Sequence, residues 1–302
     1  MQEPGEDEMN RLSVSLIVVA LAGAVAAQTP PPKPAGLDTA ALDRVIGKSG
    51  QAMAGDVYRF GFPRTDLNVS VGAVKVKAGF ALGSWAAFKA AASGAVARGD
   101  LVLTDTEINP VISALQQHGF EITALHNHLI NESPSVMYLH FWGQGDATKL
   151  AQSVKDALSK TKTPMTAPPA PAAADDLPAD QIQQAIGLKG TVTNGVLGLS
   201  QPRPETIQMM GVTLPPSMGM ATAINFQSAG AGKGAATGDF VMLADEVNKV
   251  ARALRQNDIA ITALHNHMLH GSPDLYFMHF WGEGDATKVA AGLKAALAQL
   301  KK

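Results

Sequence analysis

Apolar positions along the chain recur at helical or alternating spacing, and the order of these patterns occurs twice. Helical spacing predicts helices, whereas period-two alternation and short apolar runs predict strands. In the first half the predicted elements are a helix over Ala40–Ile46, strands over Leu67–Val76 and Asp100–Leu103, a helix over Thr106–His118, strands over Glu121–His128 and Val136–Trp142, and a helix over Asp146–Lys160. The second half repeats this order from a helix over Asp180–Ile186 onward. We therefore predict an α+β protein of two tandem homologous domains, each an antiparallel sheet packed with two main helices.

The sequence itself is duplicated with an offset of 139 positions. ITALHNH at Ile122–His128 returns at Ile261–His267, and HFWGQGDATK at His140–Lys149 returns as HFWGEGDATK at His279–Lys288. A match at one fixed offset is the signature of an internal repeat. Because the two halves have drifted apart elsewhere, this block is the best place to look for shared chemistry.

Changes in composition mark the ends of the repeats. Asn10-Arg11 precede an apolar run from Leu12 to about Ala24, and small residues follow up to Ala27. This is the pattern of a secretory signal peptide, with Met1 or Met9 as the start. A retained membrane anchor is the alternative, but the run is shorter than the roughly 20 residues that span a bilayer. The predicted organisation is a signal peptide over 1–27, a Pro-rich tether over 28–36, repeat 1 over 37–160, a Pro/Ala-rich linker over 161–176 and repeat 2 over 177–302.

Charge and cysteine content limit the partners. Lys plus Arg number 24 against 26 for Asp plus Glu, so the chain has no basic field that would attract nucleic acid. It has no cysteine, which excludes disulfides and thiolate metal sites. Any metal must therefore bind through His, Asp, Glu or Met side chains.

Histidine placement gives the strongest chemical signal, since six of the eight histidines fall in two equivalent triplets. On a strand, His126 and His128 project from one face about 7 Å apart. His140 joins them if the next strand pairs antiparallel with even-numbered residues opposite each other. Three convergent imidazoles suit a divalent transition metal, with zinc as the first choice, and leave one coordination position open. The alternative is that buried histidines hydrogen-bond to lock the hairpin. The equivalent residues of repeat 2 are His265, His267 and His279.

Glu107 and its equivalent Glu246 open the helix that precedes each cluster. Such a carboxylate could complete the metal site or act as general base on a metal-bound water. A capping box with Thr104 is the structural alternative for Glu107. Leu243 replaces this threonine in repeat 2, so the same box cannot form there.

Three further side chains are candidates for substrate binding, each with a structural alternative. Trp142 and Trp281 lie two residues after the third histidine of their triplets, where an indole belongs to the core or to a wall of the site. Arg64 follows a proline at the start of a strand and could bind an anionic group, but a surface charge is the preferred interpretation. Asp146 and Asp285 are expected to cap the closing helices.

The block ITALHNH…P…HFWGxGDA, preceded by GDLVLTDTEINPV, resembles the LppY/LpqO family of bacterial exported proteins, also known as the domain of unknown function DUF1259. The resemblance covers both units, 37–160 and 177–302. Repeat 2 departs from the pattern at Pro202-Arg203-Pro204-Glu205, which puts a ligand role for Arg203 in doubt. Some members resemble lipoproteins, but this chain has no cysteine for lipid attachment. The resemblance implies the fold unit and export rather than a chemistry.

Three functions remain open on this evidence. The first is a periplasmic or secreted metal-binding protein with one His-x-His…His site per repeat. The second is a metal-dependent hydrolase that uses Glu107 or Glu246 as general base. The third is an envelope protein, structural or binding a small ligand, whose histidines are structural. We expect a metal ion or a small ligand as partner, no nucleic acid and no stable membrane span after processing, while the oligomeric state stays open.

Overall fold

The computed structural model describes Met1 and residues 31–166, 176–230 and 232–301. The predicted signal peptide lies outside the described residues apart from Met1, as do positions 167–175 of the predicted linker. At the start of that linker, Met165 packs against the core of repeat 1, and Thr163 is buried. Within the described ranges, no helix has the length and apolar character needed to cross a membrane.

Repeat 1 begins with a short helix, and groups of two to four strands then follow, separated by helices. Its elements are α1 (Thr39–Ile46), β1 (Gln51–Met53), β2 (Val57–Pro63), β3 (Ser70–Val71), β4 (Val74–Lys75), α2 (Ala78–Ala81), β5 (Gly83–Ala91), β6 (Gly94–Leu103), α3 (Asp105–Gln117), β7 (Glu121–His126), β8 (Glu132–Ser133), β9 (Met137–Gly145) and α4 (Ala147–Leu158).

Repeat 2 has the same order, with a 3₁₀ turn at Pro216–Met218 in place of α2. Its elements are α5 (Ala179–Ile186), β10 (Gly190–Thr193), β11 (Val196–Pro202), β12 (Gln208–Met209), β13 (Val212–Thr213), β14 (Ala221–Gly230), β15 (Lys233–Met242), α6 (Ala244–Gln256), β16 (Ala260–His265), β17 (Gly271–Ser272), β18 (Tyr276–Asp285) and α7 (Ala286–Leu297).

Each repeat forms one main antiparallel sheet, six-stranded in the described part of the chain. The strand order is β1-β2-β5-β6-β9-β7 in repeat 1 and β10-β11-β14-β15-β18-β16 in repeat 2. Three short strands form a small second sheet in each repeat, β4-β3-β8 and β13-β12-β17. The predicted fold class, two tandem α+β domains with antiparallel sheets, is confirmed.

The two faces of each sheet have different partners because side chains alternate across a strand. On β6, Ala97 and Leu101 pack against the helices of repeat 1, whereas Val96 and Val102 point the opposite way. These opposite faces of the two sheets pack against each other. One shared core joins Trp85 and Trp142 to residues of repeat 2, and another joins Phe80 and Tyr138 to repeat 2 residues such as Val196.

The result is a layered arrangement of helices, sheet, sheet and helices. Asn127 Nδ2 donates to the Thr262 carbonyl at 3.0 Å, and Thr262 Oγ1 donates to the His128 carbonyl. Asn225 Nδ2 donates to the Phe80 carbonyl at 2.9 Å. Buried side chains of the sheets that point away from the helices of their own repeat therefore face the other repeat.

Candidate metal centre

Strand register places the first and third histidine of each triplet on one face. On β7 and β9, His126 lies opposite Tyr138, and Ala124 lies opposite His140. Even-numbered residues are thus paired with even-numbered residues, as the sequence analysis required. A β-bulge at Thr123 shifts the register before this point, without affecting the histidines. The ring centroids of His126 and His140 lie 5.0 Å apart.

His128 lies just beyond the end of β7 and still turns its ring toward the same space. Its centroid is 5.1 Å from that of His126 and 3.3 Å from that of Tyr138. Repeat 2 reproduces this arrangement, with 4.7 Å between His265 and His267.

The two triplets stack against each other. His126 stacks on His265 with 3.6 Å between ring centroids, His128 on His279 with 3.7 Å, and His140 on His267 with 3.8 Å. The sequence analysis expected one site per repeat; the helix-free faces of the two sheets pack together, so the two triplets lie side by side in one cluster. We call these six residues the histidine centre.

Two groups of ring nitrogens in the histidine centre converge closely enough to hold a metal ion. One consists of His126, His128 and His140, and the other combines His126 with the three histidines of repeat 2; in each, the ligand atoms lie within 4.8 Å of one another. Unpartnered buried nitrogens occur on most of these rings, including Nε2 of His126 and both nitrogens of His140. Buried polar atoms are normally hydrogen-bonded. This donor set therefore fits a transition metal that prefers imidazole.

Two other ring nitrogens are held by backbone carbonyls, and Nε2 of His265 lies 2.7 Å from Nε2 of His267. His126 Nδ1 lies 3.1 Å from the Asn127 carbonyl, and His279 Nδ1 lies 2.8 Å from the Gly238 carbonyl. A carbonyl partner requires a proton on Nδ1, which leaves the lone pair on Nε2. This is the arrangement commonly found behind metal-ligating histidines.

Burial keeps the six imidazoles neutral near pH 7. It lowers the pKa of His126 to about 4, and burial together with repulsion from His126 lowers the pKa of His265 to about 3. For His128, His140 and His267, burial and then repulsion from neighbouring imidazoles hold the pKa well below the usual range. A neutral imidazole is the form that binds metal.

A buried aspartate, Asp100, and a partly buried one, Asp239, complete the surroundings, and the sequence analysis did not select them. Asp100 lies 3.8 Å from His140 Nε2 and 4.0 Å from His128 Nε2, and Asp239 lies 3.9 Å from His279 Nδ1. Burial raises the pKa of Asp100 to about 7 against the opposing effect of nearby arginines. The available signal was the Gly-Asp pair at 99–100, which recurs at 238–239.

A cavity of about 610 Å³ adjoins the histidine centre. His128, His140, His267 and His279 line it together with Asp100, and residues of both repeats contribute to its walls. A volume of this size is typical of small-molecule sites.

Comparison with known proteins identifies the repeats. A family model described as Domain of Unknown Function (DUF1259) matches residues 40–160 and again residues 180–299. The chain belongs to the DUF1259 family. No curated protein matches it.

Two solved structures show weak likeness to the two DUF1259 domains. EtuB from Clostridium kluyveri is 11% identical, with 82% of this chain and 89% of that chain covered and a TM-score of 0.19. A trimeric bacterial microcompartment shell protein, PduB, is 12% identical, with 81% and 88% covered and a TM-score of 0.18. At these TM-scores the likeness says nothing about fold or function.

In both DUF1259 domains, the glutamate that opens the helix after the buried strand is held by an arginine. Glu107 accepts hydrogen bonds from Arg64 at 2.8 and 3.2 Å, and from the backbone N–H groups of Thr104 and Lys162. Arg64 is fully buried and also pairs with Asp66 at 2.9 Å. Arg64 is therefore not a surface charge, and Glu107 has a structural set of partners.

Repeat 2 keeps the same ion pair although the capping threonine is absent. Glu246 accepts from Arg203 at 2.7 and 3.2 Å and from the Leu243 backbone N–H at 2.7 Å. Half of a capping box thus forms without a side chain at the cap. In the described part of the chain, none of Glu107, Glu246 and Arg64 contacts the histidine centre. Catalytic roles for the two glutamates and a substrate-binding role for Arg64 stay predictions.

The tryptophans of the DUF1259 domains belong to the shared cores. Trp142 is 2% exposed and packs in the core that contains Trp85. Trp281 meets Phe80 edge-on across the repeats, with 5.9 Å between ring centroids. Asp146 and Asp285 each accept from two backbone N–H groups at the start of the closing helix, as expected for helix caps.

Proposed function

We propose that this protein is an exported metal-binding protein whose histidine centre, built from both repeats, holds a divalent transition metal, with zinc as the first choice. One observation carries the proposal: neutral imidazoles from both repeats converge with unpartnered nitrogens in the same buried space. Leaving such nitrogens without partners costs free energy. A bound cation removes this cost and accepts their lone pairs.

Zinc is preferred because all the converging ligands are imidazoles and no thiolate is available. Copper, iron and manganese remain outcomes of the metal analysis. Export is supported by the apolar run from Leu12 and the small residues that end at Ala27.

The hydrolase alternative lacks support from the carboxylates it would use. Glu107 and Glu246 are each bound by a buried arginine and by backbone N–H groups. These hydrogen bonds, together with the arginine charge, outweigh burial and lower the pKa of both groups. A general base working near neutral pH needs a pKa closer to 7.

The test is metal analysis of untagged protein, purified and then equilibrated with zinc and dialysed. We expect bound zinc in the wild-type protein and its loss in a His126→Ala/His265→Ala variant, because these two rings occupy the middle of the histidine centre. A His118→Ala/His270→Ala variant is the matched control: it also removes two imidazoles, but both are exposed and lie outside the centre. Equal zinc in the two variants, or no zinc in the wild-type protein, would contradict the proposal and favour structural histidines.

A further inference from the structure

Arg98 is the least satisfied charged side chain beside the histidine centre. It projects from β6 into the space between the sheets, is 1% exposed and lines the cavity. Its Nη1 donates to the Met218 carbonyl at 3.1 Å, but Nε and Nη2 have no hydrogen-bond partner among the described residues. Burying guanidinium donors without partners is costly.

The fold does not require an arginine at this position. Its equivalent on β15 is Thr237, whose hydroxyl donates to the Phe280 carbonyl at 2.9 Å. Repeat 2 therefore builds the same sheet with a small neutral residue. Burying the Arg98 guanidinium in repeat 1 thus costs free energy that this sheet does not need in order to form.

The nearby carboxylates do not occupy the free donors of Arg98. Asp100 and Asp239 approach imidazoles of the histidine centre at 3.8 to 4.0 Å, and neither forms an ion pair with Arg98 in the described structure. A second cation, Arg59, stands on the same wall, with its guanidinium 4.2 Å from the centre of the Trp85 ring. The cavity lining thus holds two guanidinium groups, and two buried nitrogens of Arg98 have no partner among the described residues.

Part of the remaining cavity lining is apolar. Phe80, Leu199 and Met53 line it, together with the small residues Gly198 and Ala223. A volume of about 610 Å³ is far larger than an inorganic anion requires. An anionic group attached to an apolar body matches both parts of the lining.

We propose that the cavity binds a small organic carboxylate, with its carboxylate held by Arg98 beside the histidine centre and its apolar part against Phe80 and Leu199. This names the ligand class of the same site and rests on the proposed function for the neighbouring metal. Arg98 offers paired N–H donors, the geometry that carboxylates accept.

The experiment is calorimetric titration of untagged protein with benzoate and with acetate, in zinc-loaded and metal-stripped forms. We expect benzoate to bind more tightly than acetate, because only benzoate has a ring to bury. Arg98→Met should weaken benzoate binding about ten- to a hundredfold, and Arg98→Lys should weaken it less because the charge remains. Arg252→Met, which removes an exposed charge outside the cavity, should leave affinity within about twofold.

Zinc content measured in the same samples separates this inference from the proposed function. Arg98-dependent benzoate binding without any bound zinc would support the inference while the proposed function fails. Binding of neither anion to wild-type protein, or equal binding by Arg98→Met, would overturn it. If Arg98→Met does not fold, the Arg98 Nε–H signal in the nitrogen-15 spectrum of wild-type protein decides, since it must shift on addition of benzoate.

Discussion

Six imidazoles packed against each other stay neutral only because burial and mutual repulsion oppose protonation. Each ring taken alone resembles an ordinary core histidine. Unlike the nitrogens of ordinary core histidines, many ring nitrogens of the cluster have no hydrogen-bond partner among the described residues. Neutrality has a consequence for the metal-free protein, because an unfolded chain protonates its histidines near pH 6.5.

We predict that the metal-free protein loses stability as the pH falls from about 6.5 to about 4. In that window the unfolded state binds more protons than the folded state. The free energy of unfolding therefore decreases as the pH is lowered. His126, with a folded-state pKa of about 4, contributes on the order of 2 kcal/mol between pH 7 and pH 4.5. Asp100 acts in the opposite direction because its pKa is raised to about 7.

Urea unfolding in EDTA at several pH values measures this dependence. The free energy of unfolding should change less with pH in the His126→Ala/His265→Ala variant than in the His118→Ala/His270→Ala variant. Equal stability of the wild-type protein at pH 4.5 and pH 7 would show that the rings are not buried in neutral form.

Glu107→Gln should destabilise the protein without releasing metal. The amide leaves Arg64 with an incompletely compensated charge in a buried position, which costs about 3 kcal/mol. Glu246→Gln should behave alike through Arg203. Urea unfolding and zinc content are measured together. Unchanged stability with lost zinc would instead support the ligand role first considered for this glutamate.

At the residue scale, sequence found the histidines but missed Asp100 and Arg98. Histidines at strand spacing form a recognisable pattern, and a repeated pattern reinforces it. A single carboxylate or guanidinium in an apolar strand has no such spacing. Its burial depends on the opposing sheet, which belongs to the other repeat.

At the element scale, helices α3 and α4 and strands β7 and β9 matched the predictions to within a few residues. Leu67–Val76 instead contains two short strands, β3 and β4, joined by a turn at Gly72 with φ +56°. β5 and most of β6 were not predicted, because alanine and glycine have low strand propensity. Packing between neighbouring strands, rather than local preference, makes these segments extended.

Gly99 allows β6 to pass close to its neighbours. An added Cβ would lie 2.4 Å from the Phe141 ring and 2.4 Å from the Trp85 carbonyl oxygen. We predict that Gly99→Ala lowers the free energy of unfolding by about 1–3 kcal/mol through overpacking. Gly61→Ala on β2 is the matched control, since its Cβ would meet no atom within 4 Å. Thermal or urea unfolding measures the stability of both variants. Equal stability would contradict the prediction that an added Cβ at Gly99 overpacks the sheet.

At the scale of the whole molecule, the sequence predicted two domains but not how they meet. The residues on each helix-free sheet face have their packing partners in the other repeat. Duplication predicts similar folds, yet no residue spacing within one repeat encodes the contact between them. The single histidine centre is therefore a property of the pair.

The shared cores predict that the two repeats unfold together. Phe80 is 1% exposed and packs against Trp281 of the other repeat. Phe80→Ala should cost about 3–5 kcal/mol and lower the urea midpoint of both repeats equally. Hydrogen exchange with mass spectrometry reports each repeat separately. A repeat 2 midpoint that stays at the wild-type value would show independent domains.

Anomalous diffraction at the zinc absorption edge, from crystals of untagged zinc-loaded protein, tests the central claim most directly. The account predicts a peak inside the histidine centre with imidazole nitrogens of both repeats about 2.0–2.1 Å away. No peak in the centre, or peaks each bound by histidines of one repeat alone, would contradict it.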